Sequence, residues 1–344
     1  MRYAVLGAAM AVLALVACSG PHPSAKPKGR ASPAASPTAP GPGLCPLTDL
    51  PPAQGASATR APLAVKVDDS IPQADPQSGL QDADVVFDEP VEGGLDWFLA
   101  IFQCGNPSRV GPVREVEVED PSILFPYAPV LYANAGTSAA TAAGITSTAG
   151  IINVDANHQG PAYSRDNTRQ APYNLFVDPS AIWGLKVASP LSAVKPQFSF
   201  VSPTAAMSDT GVSATAASLT FTLGPRVGYE YDPGTTSYER LENGHPQLTD
   251  GGGALHVTNV VILWTTINQS QAADASGNAA PEPVVVGQGN AMVLSGGVEH
   301  DGTWSRADPG SPVEFQDKSH NPIPMLPGNT WIHILPSSEA AFVT

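Results

Sequence analysis

The sequence has 344 residues, a formal net charge of −15 and 42% apolar residues, with only 14% charged residues. This balance excludes a fully disordered chain, which would be rich in charge and poor in apolar residues. The negative charge also argues against nucleic acid as a partner, because phosphate backbones are bound by basic surfaces.

The first 17 residues are predicted to be a lipoprotein signal peptide. Arg2 provides a positive start, and the apolar run over residues 4–16 is shorter than the roughly 20 residues that span a bilayer. The run ends in Leu15-Val16-Ala17-Cys18, which resembles the bacterial lipobox. That resemblance implies cleavage before Cys18 and lipidation of its thiol; an ordinary secretory signal is the alternative. We therefore expect an extracytoplasmic protein that is anchored to the cell membrane by its lipid.

Residues 18–60 are predicted to hold the lipidated cysteine and an extended tether. Residues 19–44 contain seven prolines, together with alanine, serine, glycine and lysine, and show no apolar periodicity. Such a segment cannot bury a core. The globular part of the chain is therefore expected to begin near residue 61.

The other two cysteines, Cys45 and Cys104, form an even pair in a chain that we expect to be exported. In an oxidising compartment such a pair favours a disulfide, and two buried free thiols are the alternative. The sequence has no CxxC or HxxxH spacing and therefore shows no zinc motif. No metal and no cofactor are expected.

Residues 61–200 are predicted to form a mixed module of strands and helices. Apolar segments bounded by turn residues predict strands over 63–67, 85–91, 95–103 and 130–133. Glu92-Gly93-Gly94 suits a tight hairpin between the second and third of these strands, because glycine accepts positive φ. Helices are predicted over 138–149 and, after Asp178-Pro179, over 180–185.

Residues 201–344 are predicted to be rich in β-strands. The predicted strands cover 214–223, 227–231, 255–267, 283–286, 291–294 and 330–335. The segment 255–267 is nearly continuously apolar, which predicts a single strand buried on both faces. No helical periodicity is present after about residue 190. The fold class is therefore predicted to be α+β, with a mixed N-terminal module and a β-rich C-terminal module.

Short motifs occur in a fixed order between residues 62 and 335. In the N-terminal half they are Val65-Lys66-Val67-Asp68, Pro76-Gln77-Ser78-Gly79-Leu80, Val91-Glu92-Gly93-Gly94, Gly111-Pro112-Val113-Arg114, Tyr163-Ser164-Arg165-Asp166 and Asn174-Leu175-Phe176. In the C-terminal half they are Asn259-Val260-Val261, Gly302-Thr303-Trp304 and Pro327-Gly328-Asn329-Thr330-Trp331. This order resembles the YerB-like bacterial lipoproteins, a domain family of unknown function. The resemblance implies a layered α+β sandwich in two consecutive modules, 61–200 and 201–344, and implies no reaction.

The chain departs from that family pattern at five positions. The pattern has asparagine at Asp69, arginine at Asp75, Trp97 and Glu117, and histidine at Tyr173. If the family site binds an anion through arginines, the resemblance implies that this chain has lost much of that site. We expect weak anion binding and a preference for a cation or an amine-bearing ligand.

Seven residues form the candidate ligand-binding set, namely Asp68, Glu92, Arg114, Arg165, Asp166, Arg169 and Asn174. Three of them, Arg165, Asp166 and Arg169, lie in residues 155–173, a long polar segment without a secondary-structure signal, and long ordered loops are often functional. Arginine in this loop could clamp a carboxylate of a wall peptide or sugar. The alternative is a set of ion pairs that holds the loop to the sheet. In both cases the loop is expected close to Asp68 or Arg114.

Carboxylates are frequent near the ends of the first predicted strands, at Asp68, Asp84, Asp88, Glu89 and Glu92. Paired carboxylates can hydrolyse glycosides, and carboxylates can bind Ca²⁺, although no calcium-loop motif is present. Capping of turns is the favoured use. The sequence thus predicts a non-catalytic envelope protein that binds or scaffolds a cell-wall component or an envelope protein. A cell-wall glycan or peptide hydrolase that uses Asp68, Glu92 or Asp166 is the alternative.

Overall fold

The computed structural model describes residues 38–344, except residues 71, 190, 202–211, 221–225, 274–277 and 324. The predicted signal peptide, Cys18 and the tether up to residue 37 lie outside the described residues. Within the described part, no helix has the length and apolar character needed to cross a membrane. All of the described residues belong to one compact unit, Ala34–Thr344.

The described residues form 21 strands and three α-helices. The helices are α1 Asp120–Leu124, α2 Ala139–Ser147 and α3 Pro179–Trp183. The strands of the first half are β1 Leu63–Asp68, β2 Val85–Pro90, β3 Asp96–Phe102, β4 Val130–Ala133, β5 Ile151–Asn153, β6 Tyr163–Arg165 and β7 Leu175–Val177. Those of the second half are β8 Val212–Ser213, β9 Ala216–Thr220, β10 Arg226–Asp232, β11 Ser237–Glu242, β12 His245–Pro246, β13 His256–Val257, β14 Asn259–Thr265, β15 Ile267–Ala273, β16 Ala279–Pro283, β17 Gly287–Ser295, β18 Val298–Arg306, β19 Glu314–Asp317, β20 Thr330–Pro336 and β21 Ala341–Val343.

One sheet of 11 strands runs through both halves of the chain, in the order β19-β18-β17-β14-β20-β2-β3-β1-β4-β5 with β8 beside β18. The two halves meet where β2 pairs in parallel with β20, so that Val85 faces Thr330 and Asp88 faces His333. Strand β3 pairs antiparallel with both β2 and β1. The carboxyl ends of β1, β2, β4 and β20 therefore lie at the same edge of the sheet.

Two apolar layers cover the central sheet, one on each face, because successive side chains of a strand point to opposite sides. A second sheet, in the order β12-β11-β10-β9-β21 with β13 beside β11, packs on one face. Its Tyr229 and Tyr238 join Val86, Phe98 and Trp331 of the central sheet in one buried cluster. The other face carries a separate buried cluster that includes α1 residues and Phe87. The protein is a sheet-rich fold with few helices in its described part.

The predicted strands and helices of residues 61–200 are confirmed. Strands β1 to β4 lie where the apolar segments predicted them, within one or two residues at each end. The turn between β2 and β3 contains Gly93 at φ 76° and Gly94 at φ 75°, the left-handed region for which glycine is suited. The Ser138 and Asp178 side chains accept hydrogen bonds from backbone N–H groups in the first turns of α2 and α3.

Two strand predictions in the C-terminal half were wrong in their extent. The apolar segment 255–267 is divided among β13, β14 and the start of β15. Strand β13 pairs with β11 of the second sheet, whereas β14 enters the central sheet between β17 and β20. A continuous apolar segment predicts burial, but it does not indicate where the chain leaves one sheet and enters another. The strand predicted over 283–286 ends at Pro283 instead, as β16.

The segment 155–173 is predicted from the sequence to be a loop, but it contains the strand β6, which pairs antiparallel with β7. A strand of three mostly polar residues carries too little alternation to be recognised. The predicted disulfide is confirmed, since Cys45 and Cys104 are bonded with an S–S distance of 2.08 Å. It joins the segment that precedes β1 to the residues that follow β3.

Candidate functional site

Arg114 and Arg165 lie along one groove of about 360 Å³ near the carboxyl ends of β1 and β4. The Arg114 backbone is held there on both sides, because its N–H donates to the Lys66 carbonyl of β1 and its own carbonyl accepts from the Ala135 N–H after β4. Arg165 is the last residue of β6. The groove is also lined by polar groups of four further residues, Glu115, Asn157, Tyr163 and Ser164.

The Arg114 side chain is 17% exposed and is compensated by two carboxylates. Its Nε lies 3.3 Å from Asp68 Oδ2 and 3.3 Å from Glu115 Oε2. The guanidinium carbon lies 4.6 Å from the centre of the Trp97 ring, a cation–π distance. Asp68 is fully buried, and its Oδ1 accepts hydrogen bonds from the N–H and the hydroxyl of Ser70 at 2.9 and 2.6 Å. Asp68 is therefore the counter-charge of Arg114.

Arg165 is exposed and is oriented by Asn174. Its Nη1 donates to Asn174 Oδ1 at 2.7 Å, and Asn174 is only 8% exposed. The Asn174 carbonyl accepts from the Asp166 N–H at 2.8 Å, which closes the β6–β7 hairpin. Among the described residues no carboxylate lies within ion-pair distance of Arg165, whereas Arg114 has two such neighbours. Arg165 is thus the uncompensated positive charge of the groove.

Asp166 and Arg169 lie outside this groove and hold the loop in place. Asp166 Oδ2 lies 3.4 Å from Arg109 Nη1, and Arg109 Nε lies 3.2 Å from Asp250 Oδ2. Hydrogen bonds from Thr168, with a smaller contribution from Arg109, lower the pKa of Asp166. The Arg169 guanidinium donates to four successive carbonyls, those of residues 73–76. These contacts correspond to the structural alternative, in which charged residues fix the loop.

Glu92 is half-buried at the start of the turn between β2 and β3, at the margin of a buried charged cluster that we term the Lys66 cluster. The other members of this cluster are Lys66, Glu89, Glu117, Glu119 and Asp120. Lys66 Nζ contacts the Glu89 carboxylate and lies 3.0 Å from Asp120 Oδ1. Asp120 Oδ2 accepts from the Glu117 N–H at 2.7 Å and from the Tyr132 hydroxyl. One ammonium therefore faces four buried carboxyl groups.

Burial controls the ionisation of the Lys66 cluster. It raises the pKa of Glu117 to about 8, although the positive charge of Lys66 opposes the shift. Burial also raises the pKa of Glu89 and of Glu119 well above the ordinary value, and the neighbouring carboxylates add to the shift. A buried carboxylate is costly unless it is paired or takes up a proton, so this cluster needs more positive charge than Lys66 supplies.

A second buried cluster, the Arg240 cluster, lies on the opposite face of the central sheet, since Asp88 and Glu89 are consecutive residues of β2. Arg240 Nη2 lies 3.4 Å from Asp88 Oδ2 and 3.5 Å from Asp69 Oδ2. His333 Nδ1 lies 3.0 Å from Asp88 Oδ2, and His333 Nε2 lies 2.8 Å from the Tyr229 hydroxyl. Burial lowers the pKa of His333, which favours the neutral imidazole, although Asp88 opposes the shift.

Three further acids belong to this second cluster. Asp96 is fully buried, and burial together with the charge of Asp88 raises its pKa well above the ordinary value. Asp75 and Glu242 lie at the solvent side, with carboxylate oxygens within 4.8 Å of one another and of Asp69. Asp84, in contrast, belongs to neither cluster: its Oδ2 accepts from the backbone N–H of Cys104 at 2.8 Å. Asp84 therefore has the turn-capping use that the sequence favoured.

Comparison with known protein families shows which family the chain belongs to. Residues 47–190 match the N-terminal domain of the family described as "Protein of unknown function (DUF3048)", and residues 217–332 match its C-terminal domain. The chain belongs to the DUF3048 family. A DUF3048 relative is YerB of Bacillus subtilis (strain 168), whose name classes it as a candidate lipoprotein. It is 26% identical over 309 residues, which cover 87% of this chain and 88% of YerB.

The crystal structure of YerB from Bacillus subtilis has the same fold as this DUF3048 protein. The two superpose with a TM-score of 0.72 at 24% identity, over 88% of this chain and 99% of that of YerB. The predicted membership in the YerB-like family is therefore confirmed. The two matched domains of this chain meet in the central sheet, where β2 pairs with β20.

The five positions at which this DUF3048 protein is predicted to depart from the family pattern are distributed over the two buried clusters and the hairpin. Trp97 and Glu117 adjoin Lys66, Asp69 and Asp75 adjoin Arg240, and Tyr173 is half-buried between β6 and β7. The departures thus bear on the charge of both clusters.

Sequence reasoning missed several residues of these clusters, namely Lys66, Glu119, Asp120, Arg240 and His333. For Glu119 a signal was present, because Glu115, Glu117 and Glu119 alternate with valines. No local pattern indicates that Arg240 or His333 is buried.

Proposed function

We propose that the protein is a lipid-anchored extracytoplasmic protein that binds a peptide component of the cell wall, without transforming it, in the groove between Arg114 and Arg165. The lipobox-like sequence at Cys18 and the similarity to YerB support the anchor. The disulfide between Cys45 and Cys104 is typical of an oxidising compartment. The observation that carries the binding proposal is the exposed, uncompensated guanidinium of Arg165 inside a polar groove.

The groove offers one positive and one negative group to a ligand. Arginine binds carboxylates through two parallel N–H···O bonds, and Arg165 is oriented for such contacts by the buried Asn174. The Glu115 side chain is 53% exposed and presents a carboxylate in the same groove. A wall peptide carries both carboxylates and amines. Its carboxylate is expected at Arg165 and its amine at Glu115.

The alternative function, hydrolysis by paired carboxylates, has less support from the geometry. Such an enzyme needs two carboxyl groups that face one cleft, about 5–10 Å apart. The groove is lined by one carboxylate, Glu115, and not by Asp68, Glu92 or Asp166. Asp68 is fully buried against Arg114, and Asp166 is paired with Arg109. Binding without catalysis is therefore the preferred function.

The test is a titration of the protein with a soluble muramyl tripeptide that ends in a diamino acid. Isothermal titration calorimetry measures its affinity. We expect Arg165→Gln to weaken binding at least tenfold, because a lost charge-assisted hydrogen-bond pair is worth about 1.5–3 kcal/mol. Arg226→Gln is the matched control, since Arg226 is an exposed arginine on β10 outside the groove. Equal affinities of the two variants would contradict the proposed site, and cleavage of the probe by the native protein would contradict a non-catalytic role.

A further inference from the structure

The Lys66 cluster contains carboxylate oxygens that lack the hydrogen bonds that a buried carboxylate normally makes. Both oxygens of Glu119 and Oε2 of Glu89 are buried, and among the described residues no hydrogen-bond donor reaches them. Glu119 is only 2% exposed. Buried polar atoms are nearly always satisfied in folded proteins, and the exceptions call for a bound water, ion or proton. These three oxygens are therefore available to a bound cation or a proton.

Carboxylate oxygens of three residues of this cluster lie close together. Glu89, Glu119 and Asp120 each offer a carboxylate oxygen, and the three atoms lie within 4.8 Å of one another. Two oxygens bound to one hard cation can be separated by at most twice the metal–oxygen distance, about 4–5 Å for Mg²⁺ and Ca²⁺. The spacing of the three atoms thus fits a single cation, with Glu119 available as a bidentate ligand.

The excess negative charge of the cluster also favours a bound cation. Lys66 compensates one of the four carboxylates when all are ionised, and it contacts only Glu89 and Asp120. Glu119 lies near Lys66, but its side chain has neither an ion pair nor a hydrogen bond within the described residues. A divalent cation would neutralise the excess charge, because both Glu119 oxygens and Glu89 Oε2 accept no hydrogen bond within the described residues.

A row of acids connects the cluster to the groove. Glu115, Glu117 and Glu119 alternate along one segment, and their exposure falls inward: the Glu115 side chain is 53% exposed, whereas Glu117 is 6% and Glu119 is 2% exposed. Glu115 lines the groove, and Glu92 adds a half-buried carboxylate beside Glu117. A hydrated cation that approaches from the groove therefore meets carboxylates at each depth.

We infer that Glu89, Glu119 and Asp120 bind a hard divalent cation of the Mg²⁺, Mn²⁺ or Ca²⁺ class inside the Lys66 cluster. The ligands are all carboxylate oxygens, which such ions prefer over nitrogen and sulfur. They come from β2 and from the start of α1, two segments about 30 residues apart in a chain without a continuous calcium loop. The site would tie α1 to the edge of the central sheet and so fix one wall of the groove.

The test uses the full chain, stripped of metal by chelation and then titrated with Mg²⁺, Mn²⁺ or Ca²⁺ while thermal unfolding is monitored. With one of these ions at a hundredfold excess over its dissociation constant, we expect the melting temperature to rise by about 5 °C. Glu119→Gln should abolish this rise, since it replaces a bidentate carboxylate by a neutral amide. Glu242→Gln is the control and should keep the rise, because Glu242 belongs to the separate acidic triad with Asp69 and Asp75.

Terbium luminescence provides a second readout, which reports binding of the ion directly and not a change in stability. Trp97 lies beside the cluster, with its ring centre 5.9 Å from Lys66 Nζ, so excitation of tryptophan should sensitise bound Tb³⁺. Trp97→Phe should lose most of this emission, and Ca²⁺ or Mn²⁺ should quench it in the native protein by competition.

Two results would overturn the inference. If none of the three ions changes the melting temperature of the native chain, the cation site is refuted, and a rise caused by Glu119→Gln would then show that protons alone neutralise the cluster. If Glu242→Gln abolishes the rise and Glu119→Gln keeps it, the cation binds the Asp69, Asp75 and Glu242 triad on the other face.

Discussion

Reduction of the Cys45–Cys104 disulfide is expected to destabilise the protein by about 4 kcal/mol. The bridge closes a loop with a sequence separation of 59 residues. In the chain-entropy model a loop of this length restricts the unfolded chain by about 14 cal/mol/K, which corresponds to about 4 kcal/mol at 25 °C. Other contacts keep the two segments together after reduction, because the Ala53 N–H donates to the Cys104 carbonyl and Arg60 donates to carbonyls of residues 103 and 105. The reduced protein should therefore remain folded at lower stability.

Guanidinium unfolding with and without reductant measures this difference directly. The double variant Cys45→Ala/Cys104→Ala is the matched control, since reductant should not change its midpoint. Both cysteines are buried, so the variant also reports the packing cost of removing the two sulfur atoms. If the native chain loses less than about 1 kcal/mol on reduction although both thiols become alkylatable, the entropic reasoning fails.

Three further predictions concern the anchor, the Lys66 cluster and the Arg240 cluster. Cys18→Ala should lose membrane association or remain unprocessed; unchanged partition into detergent and unchanged size would contradict lipidation. Because the pKa of Glu117 is raised to about 8 from its ordinary 4.5, its contribution to stability is complete below about pH 4.5 and is lost as the pH rises through 8. Glu117→Gln should flatten this part of the pH profile of the denaturation midpoint, and parallel profiles would refute the assignment. Arg240→Met should cost about 3–5 kcal/mol in urea unfolding, since Asp69 and Asp88 remain buried without their cation, whereas a loss below about 1 kcal/mol would contradict the role of Arg240 as their counter-charge.

The residues of the groove could be predicted only in part from the sequence. Arg114 and Arg165 were both candidate ligand-binding residues, and the structure brings them to one groove. Asp166 and Arg169 were assigned to the same set but contact Arg109 and the carbonyls of residues 73–76 instead. The order of residues along a loop does not reveal which of their side chains point toward the sheet. That choice depends on partners such as Asn174 and Asp250, which the fold supplies.

Features that depend on local pattern and chemistry could be predicted without knowledge of the fold. Apolar segments between turn residues predicted β1 to β4, because strand propensity and burial act within a few residues. The pair Cys45 and Cys104 predicted the bridge on the expectation that the chain is exported, because pairing requires only an oxidising compartment and no knowledge of the fold.

The burial of charged side chains, in contrast, depends on long-range packing. Lys66 occupies an alternating position in a strand, where a solvent-facing side chain would show the same pattern. It is buried because elements cover both faces of the central sheet, and the pairing of β2 with β20 brings Asp88 to His333, 245 residues further along the chain. Pairings over such distances are selected by the packing energy of the whole molecule, which no short segment encodes. The two buried clusters, and the cation inferred for one of them, therefore follow from the fold and not from a motif.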